Sequence, residues 1–215
     1  SRIIYPPVDT DFYTPAAVGG VCSADRTAAD SAPRTPPTGD GPLYVCVSAL
    51  VPYKRIDLAV EACNRLGRRL VVIGDGPERH RLRRLAGPTV YLAGRTSNEV
   101  IRDHLRRARA LLFPAHEDFG IVPLEAQACG TPVVAFGQGG ATETVLPASE
   151  ARPGTGLLFD QQTPESLSQA ILRLEAHPEW FDARLARRQA ERFCAERFEQ
   201  ELLAYLDEVS LRAAG

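Results

Sequence analysis

Six short apolar segments recur along the chain with their starts roughly 20–26 residues apart, and this rhythm constrains the fold most strongly. The segments cover residues 43–50, 69–74, 89–94, 110–114, 131–136 and 155–159. Amphipathic helical spacing lies between them, as at Ile56, Ala59, Val60 and Cys63. Short apolar strands, each followed by a helix, are typical of a parallel sheet buried on both faces. We therefore predict an α/β fold: a Rossmann-like parallel sheet of about six strands with helices on both faces, plus C-terminal helices.

The 215 residues are enough for one large domain, and we predict a single domain over residues 1–215. Residues 14–42 are rich in Ala, Pro, Gly, Asp and Ser, which predicts a flexible loop. Before this loop, residues 2–5 are predicted to form one short extra strand that ends at Pro6-Pro7.

Beyond residue 163 the strand pattern stops, and residues 164–211 are predicted to form C-terminal helices. Their helical periodicity falls in three stretches, over residues 164–175, 178–193 and 197–211. Earlier in the chain, residues 96–99 (TSNE) predict a capping box at a helix start.

Composition excludes several classes of protein. The 25 basic and 27 acidic residues give a formal charge of −2, without the basic surplus of a nucleic-acid binder. No apolar run approaches the ~18–20 residues that span a bilayer. The five cysteines are far apart and form no metal-ligand pattern, so we interpret them as reduced thiols of a cytoplasmic protein. Because the sequence contains no Met, we expect a processed product or an excised domain.

Lysine usage singles out one loop. Of the 25 basic residues 24 are Arg, and the one Lys is Lys54, which follows the first predicted strand. We expect Lys54 and Arg55 in the opening turn of the next helix, where positive charge is unfavourable unless an anion binds. A phosphate would take both the side-chain charge and the free backbone N–H groups. An accident of composition for Lys54, and a solvated surface side chain for Arg55, remain alternatives at this point.

Two other glycine-containing loops do not match standard phosphate motifs. The loop GDGPER (residues 74–79) has Arg79 where a dinucleotide fingerprint has its third Gly, which disfavours a nicotinamide enzyme. Gly94-Arg95-Thr96 lacks the lysine of a P-loop, which disfavours an ATPase.

A further loop carries two carboxylates eight positions apart, Glu117 and Glu125. We expect Glu117 on the loop and Glu125 on the helix that follows, with Pro123 in its first turn. Such a pair can accept hydrogen bonds from sugar hydroxyls while the N–H groups between them face an anion, which suits a sugar nucleotide. A plain capping acid and a solvated helical Glu are the alternatives that spacing alone leaves open.

These motifs resemble those of the retaining GT-B glycosyltransferases of family 4, or group 1. The segment EDFGIVPLEA (residues 117–126) resembles the E-x7-E signature of that family, and residues 4–10 (IYPPVDT) resemble the start of its C-terminal, donor-binding domain. Residues 50–57 resemble its phosphate loop, and residues 139–143 (GGATE) its Gly-Gly-x-x-Glu turn. The loop PYKR (residues 52–55) is similar to that of mannosyltransferase-like members, which often use GDP-mannose.

The resemblance implies a role for each matching residue. Lys54 would bind the donor pyrophosphate, Glu125 the ribose hydroxyls, and Glu117, as the catalytic residue, a sugar hydroxyl near the reacting centre. The family often has an Arg where this chain has Ala49, so charge neutralisation is expected to be weaker or to fall to Arg55. The other donor-binding residues implied are Arg95, Thr96, Phe119, Gly120, Ile121 and Val122.

The resemblance also implies one half of a GT-B fold, with the acceptor held by an N-terminal domain absent from this chain. The expected activity is transfer of a hexose, GDP-mannose being the first donor to test, with retained configuration and no metal or cofactor. The fragment alone would bind the donor without transferring the sugar. The resemblance further implies a lipid-linked or glycan acceptor, which would bring this cytoplasmic protein into peripheral association with the inner membrane face. The alternatives are a nucleotide-sugar-binding regulatory module and a sugar-nucleotide epimerase.

Overall fold

The centre of the molecule is a sheet of six parallel strands. A computed structural model describes residues 3–16 and 41–213. Within these ranges the strand order is β3-β2-β1-β4-β5-β6, and every neighbouring pair is parallel. The strands are β1 (Leu43–Val47), β2 (Arg69–Ile73), β3 (Val90–Gly94), β4 (Ala110–Phe113), β5 (Val133–Phe136) and β6 (Gly156–Phe159). All six predicted strands and the predicted fold class are confirmed.

Helices follow each strand, and a run of helices follows the last one. Single-turn 3₁₀ helices at Pro52–Lys54 and Pro178–Trp180 precede α1 and α7, respectively. The α-helices are α1 (Ile56–Leu66), α2 (Arg79–Leu85), α3 (Asn98–Arg107), α4 (Ile121–Ala128), α5 (Ala141–Thr144), α6 (Pro164–Ala176), α7 (Ala183–Glu191) and α8 (Ala195–Ala213).

Alternating strand residues build two apolar cores, one on each face of the sheet. In β1, Tyr44 and Cys46 pack in the core that includes the buried faces of α1 and α6. The residue between them, Val45, packs in the second core with Leu105 of α3 and Ala126 of α4. Strands buried on both faces in this way read as continuous apolar runs, which explains why the sequence pattern located them correctly.

The predicted extra strand at residues 2–5 is wrong for its described part, residues 3–5, which have no strand structure. Pro6 and Pro7 lack the N–H groups that a strand needs to extend a sheet. Just beyond the two prolines, Val8 makes an isolated bridge, in which its N–H donates to the carbonyl of Phe193 (2.8 Å). Of the predicted flexible loop, residues 17–40 lie outside the described residues.

Two predicted helix boundaries also need correction. The capping box is wrong because α3 begins at Asn98 with Ser97 as its N-cap, which leaves Thr96 outside the helix. The stretch 178–193 is divided, because the Asp182 carboxylate accepts hydrogen bonds from two N–H groups of the next turn and starts α7 there. The prediction of helices without strands after residue 163 is otherwise confirmed within the described residues.

The strand order places β1 between β2 and β4. The connection after β1 therefore leads towards the β3 edge of the sheet, and the connection after β4 leads towards the β6 edge. A crevice opens between them, at the carboxyl ends of β1 and β4. The loops that carry Lys54 and Glu117 leave β1 and β4 at this edge. The fold thus brings together two of the predicted site residues that lie far apart in the sequence.

We predict that Gly74→Ala destabilises the protein by roughly 3 kcal/mol or more. Gly74 has φ +138°, and a Cβ there would lie 1.8 Å from the carbonyl oxygen of Ser48, at the base of the Lys54 loop. Gly67→Ala is the matched control, because Gly67 also has a positive φ (+63°) but no atom within 4 Å of the added carbon. The control should cost about 1 kcal/mol in urea unfolding. Equal losses for the two variants would contradict the close approach.

Candidate functional site

The first site loop follows β1 and carries Lys54 at the end of its 3₁₀ turn. The Leu50 N–H donates to the carbonyl of Asp75, and the Leu50 carbonyl accepts from the N–H of Glu78, both at 2.9 Å. The loop after β2 therefore supports the loop after β1. Lys54 and Arg55 precede α1, which begins at Ile56, so the prediction that they occupy its opening turn is wrong.

The second site loop follows β4, and a glycine pair after β5 sets its course. The Gly140 N–H donates to the Glu117 carbonyl (2.8 Å). A Cβ on Gly139 would lie 2.2 Å from the same carbonyl oxygen, and a Cβ on Gly140 would lie 2.3 Å from Cα of Phe119. Only glycine permits backbones to approach this closely. As predicted, Glu117 lies on the loop and Glu125 on the helix, α4.

The Lys54 ammonium forms an ion pair with the Glu117 carboxylate, and the two side chains are 14% and 20% exposed. The ammonium also lies 5.0 Å from the centre of the Tyr53 ring, within range of a cation–π contact. A largely desolvated cation held by a carboxylate can exchange that partner for a more highly charged anion, whose hydrogen bonds to the ammonium are charge-assisted. The pair therefore gives the site a cation and a carboxylate that an anionic, hydroxyl-bearing ligand could separate.

A cleft of about 580 Å³ surrounds this ion pair. The N-terminus of α4 opens onto it, with Gly120 as the N-cap and Ile121 as the first helical residue. The N–H groups of a first helical turn have no partners within the helix and attract anions. Six of the ten predicted site residues line the cleft. The lining consists of Pro6, Tyr53, Lys54, His116, Glu117, Asp118, Phe119, Gly120, Ile121 and Val122.

Arg55, predicted as a second cation for the donor, is not among the residues that line the cleft. It has a left-handed backbone (φ 50°) that turns the chain from the 3₁₀ helix into α1. Its Nε donates to Oδ1 of Asp57 (3.2 Å), and Arg81 approaches the other oxygen of the same carboxylate (3.4 Å). The nearly buried Asp57 thus engages both guanidinium groups in this structure.

Arg95 and Thr96, predicted to lie near the base, follow β3 and do not line the cleft either. Arg95 is exposed, and its charge contributes to the lowered pKa of Asp75, after the hydrogen bond from the Gly76 N–H and the charge of Arg79. The Thr96 Oγ1 atom is buried and has no hydrogen-bond partner among the described residues. The structure thus places the two residues beside the loop that supports the Lys54 loop.

Glu125, predicted to hold the ribose, lies on α4 outside the cleft lining, where its carboxylate is hydrogen-bonded to the hydroxyl of Tyr13. Burial raises the pKa of Glu125 to about 7, and the hydrogen bond from Tyr13 opposes this shift only in part. Burial, reinforced by the neighbouring Glu125 carboxylate, also raises the pKa of Tyr13. Glu125 therefore titrates near neutral pH.

Two aromatic side chains around the site, Tyr53 and Tyr13, were not predicted from the sequence. Tyr53 lines the cleft and is 61% exposed, and Tyr13 reaches Glu125 from the segment before residue 17. The position of Tyr53 directly before the one lysine was a sequence signal that could have identified it. Nothing in the spacing of Tyr13 connects it with α4, because that contact depends on the course of the chain.

Within residues 3–16 and 41–213, no group of three or more His, Cys, Asp or Glu is arranged to hold a metal ion. Of the neighbouring trio His116, Glu117 and Asp118, Glu117 is paired with Lys54 and the other two side chains are exposed. None of the helices in these ranges is both long and apolar enough to cross a bilayer.

We predict that Glu125→Gln flattens the pH dependence of folding stability. The folded pKa of Glu125, about 7, lies above the unfolded value of 4.5, so the folded state binds more protons between these limits. Stability therefore falls as pH rises through this window, by up to about 3 kcal/mol in total. Urea unfolding across the window should show a smaller fall for Glu125→Gln than for the wild type.

Tyr13→Phe provides a second test of this prediction, with a shift expected in the opposite direction. It removes the hydrogen bond that lowers the Glu125 pKa while it keeps the ring, so the fall in stability should extend to higher pH. If both variants showed the same dependence of stability on pH as the wild type, the raised pKa of the buried Glu125 carboxyl group would be contradicted.

Comparison with known proteins places this architecture in a family. The family model described as glycosyl transferases group 1 matches residues 29–192. A GDP-mannose-dependent alpha-(1-6)-phosphatidylinositol monomannoside mannosyltransferase of Mycolicibacterium smegmatis is 33% identical over an alignment of 192 positions, which covers 80% of this chain and 46% of that protein. A D-inositol 3-phosphate glycosyltransferase of Geodermatophilus obscurus is 34% identical over 94% of this chain and 46% of its own length.

Solved structures show the same fold. Sucrose-phosphate synthase from Thermosynechococcus elongatus superposes with a TM-score of 0.76 at 26% identity, covering 100% of this chain and 53% of that one. HepE of Anabaena, solved in complex with UDP and glucose, gives a TM-score of 0.74 at 20% identity over 96% of this chain and 56% of its own. The chain spans about half the length of the curated relatives it matches. Sequence and fold together show that the chain belongs to the group 1 glycosyltransferases and forms a Rossmann-like domain of the GT-B type.

Proposed function

We propose that this chain is the donor-binding domain of a retaining hexosyltransferase and that it binds a nucleoside-diphosphate sugar, with GDP-mannose as the preferred donor. The observation that carries the proposal is the Lys54–Glu117 ion pair beside the N-terminus of α4, at the crevice where β1 and β4 end. The choice of donor is supported by the mannosyltransferases among the relatives, which are named as GDP-mannose-dependent.

Donor binding would rearrange the charges in the cleft. The pyrophosphate would displace Glu117 from the Lys54 ammonium and accept hydrogen bonds from the first N–H groups of α4. Glu117, no longer paired, would be free to accept a hydrogen bond from a sugar hydroxyl. The same cation and N–H groups would stabilise the phosphate charge that develops as the bond from the sugar to the phosphate breaks.

The proposal gives secondary roles to the residues around the cleft. Phe119, Gly120 and Val122 would shape the sugar and phosphate sites, because they line the cleft. Arg95 and Thr96 would receive the base beyond the Lys54 loop. Glu125 would receive the ribose after a change of its Tyr13 contact, and Arg55 would take part only if it leaves Asp57.

The acceptor is proposed to bind on an N-terminal domain that is not part of this chain, with transfer in the cleft between the two domains. We propose no metal ion for this reaction, since Glu117 serves Lys54 and the sugar rather than a metal. A lipid-linked or glycan acceptor and a cytoplasmic location, with peripheral association at the inner membrane face, complete the proposal. Transfer by the full-length protein should resist chelators, and the product should keep the anomeric configuration of the donor.

We predict that GDP-mannose stabilises the 215-residue chain in thermal-shift and calorimetric titrations more than UDP-glucose or ADP-glucose does. A ligand present at 100 times its Kd adds about 2.7 kcal/mol of stability. Stabilisation by a different nucleotide sugar alone would show that GDP-mannose is not the preferred donor. No response to any of them would contradict the proposed function.

Lys54→Gln should weaken donor binding by about 10- to 100-fold, the effect of losing a hydrogen bond to a charged group. Arg84→Gln is the matched control, because it removes one positive charge from the exposed surface of α2, outside the cleft lining. Calorimetry should show a donor affinity for the control within about twofold of the wild type, since surface charges far from a site contribute little. Equal effects of the two variants would contradict the role of Lys54.

A further inference from the structure

Three aromatic rings join the N-terminal segment to the loop that carries Glu117, and we call them the aromatic brace: Tyr5, Phe119 and Phe193. The Tyr5 and Phe119 rings are stacked with centres 5.3 Å apart and planes at 25°. Phe193, which follows α7, meets the edge of Tyr5 at 5.5 Å and lies 5.6 Å from Phe119. Each of these separations is within the range of favourable aromatic pairs.

Tyr5 is also connected, through Glu143, to the Gly139-Gly140 turn that supports the Glu117 loop. Its hydroxyl donates to the carboxylate of Glu143, in α5, directly after the Gly139-Gly140 turn. The Glu143 N–H is in turn bonded to the Gly140 carbonyl (3.0 Å).

These contacts form a closed circuit around the loop. It runs from Tyr5 to Glu143, through the Gly140 N–H to the Glu117 carbonyl, and along the chain to Phe119, which stacks on Tyr5. The circuit holds the Glu117 backbone at its own carbonyl and again two residues later. Asp118, between these two points, is exposed. Tyr5 contacts both Glu143, through its hydroxyl, and Phe119, through its ring.

Tyr5 is itself held in place by its neighbours. The Val8 N–H bond to the Phe193 carbonyl fixes the segment three residues later, and Pro6 and Pro7 stiffen the chain between them. Val8, Leu124 and Phe193 form a small apolar core against which Tyr5 and Phe119 pack. A rigid anchor of this kind can position the loop, whereas a mobile terminus could not.

We propose that Tyr5 is a positioning residue that fixes the Glu117 carboxylate for the sugar of the donor, and so determines affinity for a nucleotide sugar relative to the free nucleotide. The inference rests on the proposed function, in which Glu117 faces the sugar and Lys54 the pyrophosphate. Tyr5 lies outside the cleft lining and acts through Phe119 and Glu143. Loss of the brace should therefore reduce sugar recognition and leave nucleotide recognition almost intact.

Calorimetry with GDP-mannose and GDP tests this difference. Tyr5→Phe removes only the hydroxyl and should weaken GDP-mannose binding about fivefold, whereas Tyr5→Leu also removes the stacked ring and should weaken it further. Both variants should bind GDP within about twofold of the wild type, a difference too small for a lost hydrogen bond. Tyr205→Leu on α8, outside the cleft lining, is the matched control and should change neither affinity. A parallel loss for both ligands, or no loss for either, would overturn the proposal.

The Glu143 variants test the circuit. Glu143→Gln keeps an acceptor for the Tyr5 hydroxyl and should retain GDP-mannose affinity, whereas Glu143→Ala should reproduce the effect of Tyr5→Phe. The double variant Tyr5→Phe/Glu143→Ala should be no weaker than either single variant, because both remove the same bond. Additive losses would overturn the circuit.

Hydrogen exchange tests the brace without any ligand. The Gly140 amide, which donates to the Glu117 carbonyl, should exchange at least about tenfold faster in Tyr5→Leu than in the wild type and Tyr205→Leu. If the wild type binds neither GDP nor GDP-mannose, the proposed function fails, while the exchange rates still decide whether Tyr5 holds the loop. An unchanged Gly140 rate would overturn the inference even if the donor binds.

Discussion

The change of winding direction at β1 is the constraint on which the rest of this structure depends. Because β1 lies between β2 and β4, the chain leaves the centre of the sheet towards opposite edges, and the carboxyl ends of β1 and β4 open a crevice. That geometry places the Lys54 ammonium against the Glu117 carboxylate and points the N-terminus of α4 into the same space. The cation, the carboxylate and the N–H groups of the site are brought together by strand order.

Close backbone contact keeps the two site loops in place. The loop after β1 rests on the loop after β2, where a side chain on Gly74 would overlap the carbonyl of Ser48. The loop after β4 rests on the Gly139-Gly140 turn in the same manner. In both places glycine permits a distance between backbones that a Cβ would prevent, so stability and the shape of the cleft depend on the same residues.

The two glutamates Glu117 and Glu125 have different surroundings. Glu117 faces a cation and stays paired, whereas Glu125 faces the Tyr13 hydroxyl and has its pKa raised to about 7 by burial. Near neutral pH the Glu125 carboxyl group therefore exists in both its neutral and its charged form. In the proposed function, Glu117 accepts a hydrogen bond from a sugar hydroxyl, while Glu125 can meet ribose hydroxyls as a donor or as an acceptor.

The sequence alone determined the six strands, the helices between them and the positions of Glu117 on its loop and Glu125 on its helix, because apolar periodicity and turn signals are local. It failed at residues 3–5, where a local β pattern forms no strand. Only the tertiary structure decided that Arg55 pairs with Asp57, that Glu125 meets Tyr13 and that Tyr5 reaches Glu143. Such contacts depend on how loops from different strands pack against one another, and side-chain spacing along one segment carries no record of that packing.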